Sequence, residues 1–115
     1  MARIKTKRRF GRKKAQKKAL FISLSRNLIS KERIRTTEAR AKELRTFVEP
    51  LITTAKEDTV YSRRKLNKYF DQPIVKKLVE EIGPNYKERP GGYTRIIKIG
   101  PRESDSAKEV FIELV

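Results

Sequence analysis

The sequence predicts a small α+β fold, a two-layer α/β sandwich in which a helix, a strand, three helices and a closing β-hairpin follow one another. Three observations carry that reading. Apolar residues recur at helical spacing through much of residues 13–82, two runs rich in β-branched and aromatic residues follow at 93–99 and 110–114, and Gly83-Pro84 and Gly91-Gly92 punctuate the chain between them. At 115 residues there is room for one modest core and no second one. Residues 15–115 therefore read as one globular domain, preceded by a basic tail of residues 1–14.

That tail is set apart by charge. Of thirty Lys and Arg, twelve lie in residues 1–31 without a single acid, which leaves eighteen against fourteen acids in residues 32–115, a split of +12 and +4. A run of this density repels itself unless a polyanion neutralises it, so the N-terminal quarter reads as a handle for nucleic acid; a solvated charged tail is the plainer alternative. MARIKTKRRFGRKK also offers few apolar residues to bury, the composition of a segment that stays disordered until a partner orders it. Its Arg3, Lys5, Lys7, Arg8, Arg9, Arg12, Lys13 and Lys14 are the first candidate phosphate contacts.

The first helix is predicted from about Lys13 to Ser30. Leu20, Phe21, Leu24 and Leu28 mark one apolar side and Ala15, Ala19, Ile22 and Ile29 another, so both sides are expected to be covered. Lys14, Lys17 and Lys18 in its early turns would meet nucleic acid while its end meets the core. Arg33-Ile34-Arg35-Thr36 reads as a short edge strand, with Arg35 a further candidate contact. Thr36 or Thr37 caps the second helix, and Glu38 stands in its first turn, where the helix dipole favours negative charge. Ala41, Leu44, Val48, Leu51, Ile52 and Ala55 share one stripe, with Lys42 outside it. Because the stripe keeps its phase across Pro50, that residue is predicted to kink a continuous helix and not to end it.

Asp58 or Thr59 opens a third helix through Phe70, with Leu66 and Phe70 inward and Tyr61, Arg64, Lys65 and Lys68 sharing another side. Cations mixed with an aromatic ring suit RNA, though a solvated basic face has the same composition. Asp71 caps the fourth helix, Pro73 fits its first turn, Ile74, Val75, Leu78, Val79 and Ile82 form its apolar arc, and Gly83-Pro84 stops it. In the hairpin, Tyr93, Arg95 and Lys98 are candidate contacts while Ile97 and Ile99 are expected against the helices. Strand alternation puts Arg95 on the same face as those isoleucines, so an ion pair to an acid such as Glu113 is the alternative for it.

Little enzyme chemistry is available to this chain. It has no Cys and no His, which removes thiolate nucleophiles, disulfides, the commonest general base and the commonest metal ligand. Glu57-Asp58 and Glu80-Glu81 are sequence neighbours whose side chains point apart on a helix, and Glu103 with Asp105 falls short of a calcium ligand set. No phosphate-binding glycine loop leads from a strand into a helix, so neither a cofactor nor a metal is called for. No apolar run is long enough to cross a bilayer. What remains is recognition by charge, with Lys and Arg on phosphates and some stacking on Tyr or Arg.

The residues carry a resemblance. Ile34-Arg35-Thr36-Thr37-Glu38-Ala39-Arg40-Ala41-Lys42-Glu43-Leu44-Arg45, followed by Leu51-Ile52-Thr53 and Ala55-Lys56, closely resembles the signature of the bacterial large-subunit ribosomal protein L17 family. Gly91-Gly92-Tyr93-Thr94-Arg95-Ile96 and the closing Ile112-Glu113-Leu114 are similar to it as well, in the right order and nearly over the full length. The resemblance implies the same helix, strand, three helices and hairpin, and a structural protein that binds large-subunit rRNA near the outer end of the peptide exit tunnel. It also implies a cytoplasmic ribosome, ahead of an organellar one, with the protein a monomer within it and ribosomal protein L32 a neighbour. One departure is the missing His among the N-terminal basic residues, with Gln16 where the family implies one; phosphate contacts do not need an imidazole. Two other readings compete. An architectural DNA-binding protein would need a recognition helix with base-reading polar residues or a dimer with symmetric half-sites, and an RNA-modifying enzyme would need a cofactor loop or an activated nucleophile.

Overall fold

A computed structural model describes the backbone of residues 2–115 and the side chains from Lys14 onward. Helix α1 (Ala2–Lys31) leads into β1 (Arg33–Thr37) and α2 (Glu38–Lys56); α3 (Val60–Asn67) and α4 (Gln72–Lys77) follow. A π-helical turn (Leu78–Ile82) joins α4 to the short α5 (Gly83–Asn85), and β2 (Thr94–Pro101) and β3 (Lys108–Leu114) close the chain. The fold is thus α+β, as predicted. Helix α1 starts well before Lys13, in a stretch where Lys and Arg, good helix formers, make up more than half of the residues. The reading of residues 1–14 as a segment ordered by its partner falls almost entirely on side chains outside the described residues.

The three strands form one antiparallel sheet in the order β1-β3-β2, so the hairpin strand β3 is central and β1 is the edge. Ile34 lies opposite Ile112, which lies opposite Ile96, and this row faces the helices together with Val110 and Thr94. The alternate row faces away: Arg35 opposite Phe111 opposite Ile97, and Arg33 opposite Glu113 opposite Arg95. Ile97 and Ile99 are therefore not against the helices but exposed, at 38% and 44%. The inward row already holds Ile96, and a β-bulge between Lys98 and Gly100, with Gly100 at φ 133°, breaks the alternation beyond it.

The core is a single cluster fed by one stripe from each helix. Helix α1 contributes Phe21, Leu28 and Ile29, with Ile22 and Leu24 half-buried beside them, so residues from both predicted sides reach the core in its C-terminal half, while Ala15, Ala19 and Leu20 face solvent. Ser25 lies in that stripe and is fully buried, its hydroxyl donating to the Phe21 carbonyl 2.6 Å away. Helix α2 contributes Ala41, Leu44, Val48, Ile52 and Ala55 and runs unbroken through Pro50, as the phase of its stripe requires. Thr37 caps it through a 3.4 Å bond from the Arg40 N–H. At the start of α3, Thr59 and Ser62 form a reciprocal capping box; the helix ends at Asn67, short of the predicted Phe70, yet Leu66 in it and Phe70 in the turn after it are both buried. Lys77 reaches from α4 to the Ser30 carbonyl, 2.9 Å, placing a cation at the C-terminal end of α1.

Gly83-Pro84 does not stop the fourth helix. Its buried positions come in pairs four residues apart, Ile74-Val75, Leu78-Val79 and Ile82-Gly83. A four-residue repeat drifts about 40° per turn on a straight α-helix. The wider π turn, closed by the Gly83 N–H on the Leu78 carbonyl, offsets that drift and carries the chain onward. Gly83 itself is in ordinary helical conformation and is used for space: a Cβ there would sit 3.0 Å from the Ala55 carbonyl oxygen. Pro84 follows in the first turn of α5.

Candidate nucleic-acid interface

One group of exposed cations lies on α1 and α3, on either side of Tyr69. Lys14, Lys17 and Lys18 project from α1 one to two turns before Phe21 enters the core, because the apolar stripe of this helix begins only there. Lys18 lies over the Tyr69 ring, 5.5 Å from its centroid, which brings α1 next to the end of α3 and to Lys68. Along α3, Arg64, Lys65 and Lys68 are exposed, and Lys65 lies over the ring of Tyr61, itself 67% exposed. Between α1 and α2 runs an open groove of about 490 Å³ lined by Lys14, Lys17, Lys18, Phe21, Glu43, Thr46 and Phe47. Phe47 meets Tyr69 edge-on at 5.9 Å and Phe21 at 6.4 Å, so the aromatic floor of the groove continues toward α3.

Ion pairing separates the predicted contacts into two groups. Among the described residues, Lys14, Lys18, Arg64 and Lys68 have no acidic partner, so their full charge faces outward. Lys17 pairs with Glu43 at 3.0 Å, Lys42 with Glu38 at 3.3 Å and Lys98 with Glu38 at 4.0 Å. Hydrogen bonding from Lys42 and the charges of Lys42, Lys98 and Lys108 outweigh desolvation and hold the Glu38 carboxyl below its ordinary range. Arg35 pairs with Glu109, whose hydrogen bond and charge raise the guanidinium above its ordinary value. Arg95 donates to Glu113 at 2.7 Å, the ion pair that stood as its alternative, and Arg33 shares the same carboxylate at 3.7 Å.

Tyr93 is a correction. Its ring is fully buried and packs on Tyr86 at 5.1 Å, so it offers no face to a base. Its hydroxyl receives a bond from Lys56 at 3.0 Å, lies 3.1 Å from the Thr53 hydroxyl and donates to the Arg89 carbonyl at 3.3 Å. Burial raises this phenol, but the bonds from Lys56 and Thr53 and the Lys56 charge outweigh it and bring it below the ordinary value. Arg3, Lys5, Lys7, Arg8, Arg9, Arg12 and Lys13 lie outside the described side chains. Lys65, Phe47 and Tyr69 belong to the same surface; Lys65 was visible as part of the basic α3 side, whereas Phe47 and Tyr69 carry no signal until the helices pack.

Comparison with known proteins decides the family. The family model described as Ribosomal protein L17 matches residues 20–115. The chain belongs to the ribosomal protein L17 family. A large ribosomal subunit protein bL17 from Halothermothrix orenii is 50% identical to it over 109 residues, 94% of this chain and 96% of the relative. A second bL17, from Carboxydothermus hydrogenoformans, is 46% identical over 108 residues, 93% of this chain and 96% of the relative. The L17 family is a family of structural, non-enzymatic ribosomal proteins.

Proposed function

We propose that the protein is a structural component of the large ribosomal subunit of the cytoplasmic ribosome, which binds and stabilises large-subunit rRNA through the basic N-terminal part of α1 and the basic face of α3, without catalysis. The observation that carries this reading is the set of exposed cations that, among the described residues, have no acidic partner: Lys14 and Lys18 on α1, the latter over the Tyr69 ring, and Arg64, Lys65 and Lys68 along and just after α3. Lys14 and Lys18 belong to the twelve cations of the acid-free residues 1–31. Cations so placed neutralise phosphates and release counterions, and that gain does not depend on sequence. Arg35, Lys42, Arg95 and Lys98 contribute less, since each already faces a carboxylate. Other ribosomal proteins adjoin it in the particle, and the neighbour to test first is ribosomal protein L32.

The test is binding of the full chain to large-subunit rRNA across a salt series. Neutralising roughly 6 to 10 phosphates lowers affinity about 10³- to 10⁵-fold between roughly 50 and 200 mM salt. A flat response removes the electrostatic account, as does failure of the chain to sediment with large subunits.

A further inference from the structure

The groove between α1 and α2 has a composition that phosphate binding alone does not use. Its floor is apolar and aromatic, with Phe21 buried and Phe47 half-buried, while its rim carries Lys14, Lys17 and Lys18. At about 490 Å³ it falls within the size range of small-ligand sites, which are mostly apolar with a few placed polar groups. Resting on the rRNA-binding reading, we propose that this groove receives one unstacked nucleobase of a single-stranded stretch of RNA.

Charge complementarity selects this occupant. An apolar side chain from a protein neighbour would fit the floor but would leave Lys14 and Lys18, which have no acidic partner among the described residues, at the rim with Lys17, itself paired with Glu43 at 3.0 Å, whereas a nucleotide brings its own phosphate to them. The base stacks against the exposed part of the Phe47 ring, as bases do on aromatic platforms in single-strand binding proteins. Glu43 and Thr46 line the same groove and mark where the base edge lies and the phosphate does not. The Glu43 carboxylate, one oxygen of which Lys17 holds at 3.0 Å, repels phosphate and keeps its other oxygen to accept from the N–H groups of a base. The Thr46 hydroxyl, which already donates to the Lys42 carbonyl at 3.3 Å, has lone pairs left to accept.

The experiment uses the full chain with a short oligocytidylate carrying one 2-aminopurine, and with its abasic counterpart. Stacking quenches the fluorescence of the 2-aminopurine, and the abasic strand binds about 5- to 150-fold more weakly, the range one base–aromatic stack supplies. Two variants report on the groove. Phe47→Leu keeps the apolar bulk and removes the ring, and Thr46→Met fills the groove from an exposed position with no ring and without touching the core. Both abolish the quenching while leaving the salt dependence of the remaining affinity unchanged. Equal binding of the abasic strand, with quenching unaffected by Thr46→Met, overturns the proposal and leaves phosphate binding standing. Docking of a protein neighbour that Thr46→Met blocks, with RNA binding untouched, assigns the groove to protein and overturns it too. Absence of any RNA binding at low salt overturns the rRNA reading itself.

Discussion

Thr94 gives both its backbone N–H and its hydroxyl to one carboxylate oxygen of Glu49, at 3.3 and 2.9 Å, and so ties the first residue of β2 to the middle of α2. Arg45 adds a bond to the same hydroxyl at 3.3 Å, so a charged network holds the sheet to the helix next to the buried Tyr93. Thr94→Val keeps the shape and removes the hydroxyl, leaving Glu49 with one donor fewer. Hydrogen bonds to charged groups contribute about 1.5–3 kcal/mol. A melting temperature lower by several degrees is expected for Val, with Thr94→Ser close to the parent.

Gly83→Ala tests the close approach of the π-helical turn to α2. The added Cβ meets the Ala55 carbonyl oxygen at 3.0 Å and the Leu78 carbonyl oxygen at 3.1 Å, both backbone atoms that cannot step aside as a side chain would. Overpacking of this kind destabilises by about 1–3 kcal/mol. Denaturant unfolding should show a lower midpoint with an unchanged slope, and a stabilised variant would mean that the two segments are not in contact in solution.

Pro50→Ala tests the continuity of α2. The helix already crosses this position, and Thr54 donates its hydroxyl to the Pro50 carbonyl at 3.0 Å, a bond the alanine retains. Replacing the proline adds an N–H and a better helix former, so the fold is kept and the melting temperature is equal or higher. Loss of helical circular dichroism in this variant would contradict a continuous α2.

On the outer face of the sheet, Arg95→Ala separates an ion-pairing role from an RNA contact. Arg95 is more than half exposed and Glu113 keeps Arg33 when Arg95 is gone, so the stability lost is less than about 1 kcal/mol. RNA affinity should fall by less than it does for Lys14→Ala or Lys18→Ala, whose cations face outward without acids. A larger loss for Arg95 than for either lysine, measured in one buffer, would place the RNA on the sheet.

The periodic parts of this fold were legible in the sequence and the packed parts were not. Val48, Leu51 and Ile52 kept their phase across Pro50, which is a property of one helix and needs no knowledge of its neighbours. Ile96, Ile97 and Ile99 are apolar on both sides of a strand, so alternation alone does not choose which row meets the helices; the pairing of Ile96 with Ile112 does. Tyr93 beside Gly91-Gly92 reads the same whether its ring is exposed or buried, and only the convergence of Lys56, Thr53 and Arg89 makes it a core residue. At the candidate interface the lysines of α1 were legible as an acid-free run. The aromatic floor beneath them was not, because Phe21 on α1, Phe47 on α2 and Tyr69 in the turn after α3 are far apart in the chain.

Removal of residues 1–14 divides folding from binding most directly. The segment Ala15–Lys31 keeps Phe21, Ser25, Leu28 and Ile29, the buried side chains of α1 among the described residues, so the truncated chain is expected to retain its core and melt cooperatively. The deleted residues include Arg3, Lys5, Lys7, Arg8, Arg9, Arg12, Lys13 and Lys14, eight of the twelve cations in the acid-free run. If these neutralise phosphates, the truncated chain loses most of its rRNA affinity and its salt dependence becomes shallower, because each phosphate contact contributes about 0.7 to 0.9 to the logarithmic slope. Thermal melting and rRNA binding of both chains in one buffer read the two effects separately. Loss of the cooperative melt would make the segment part of the fold. Unchanged affinity would move the whole contact to Lys17 and Lys18 on α1 and to Arg64, Lys65 and Lys68 along and just after α3.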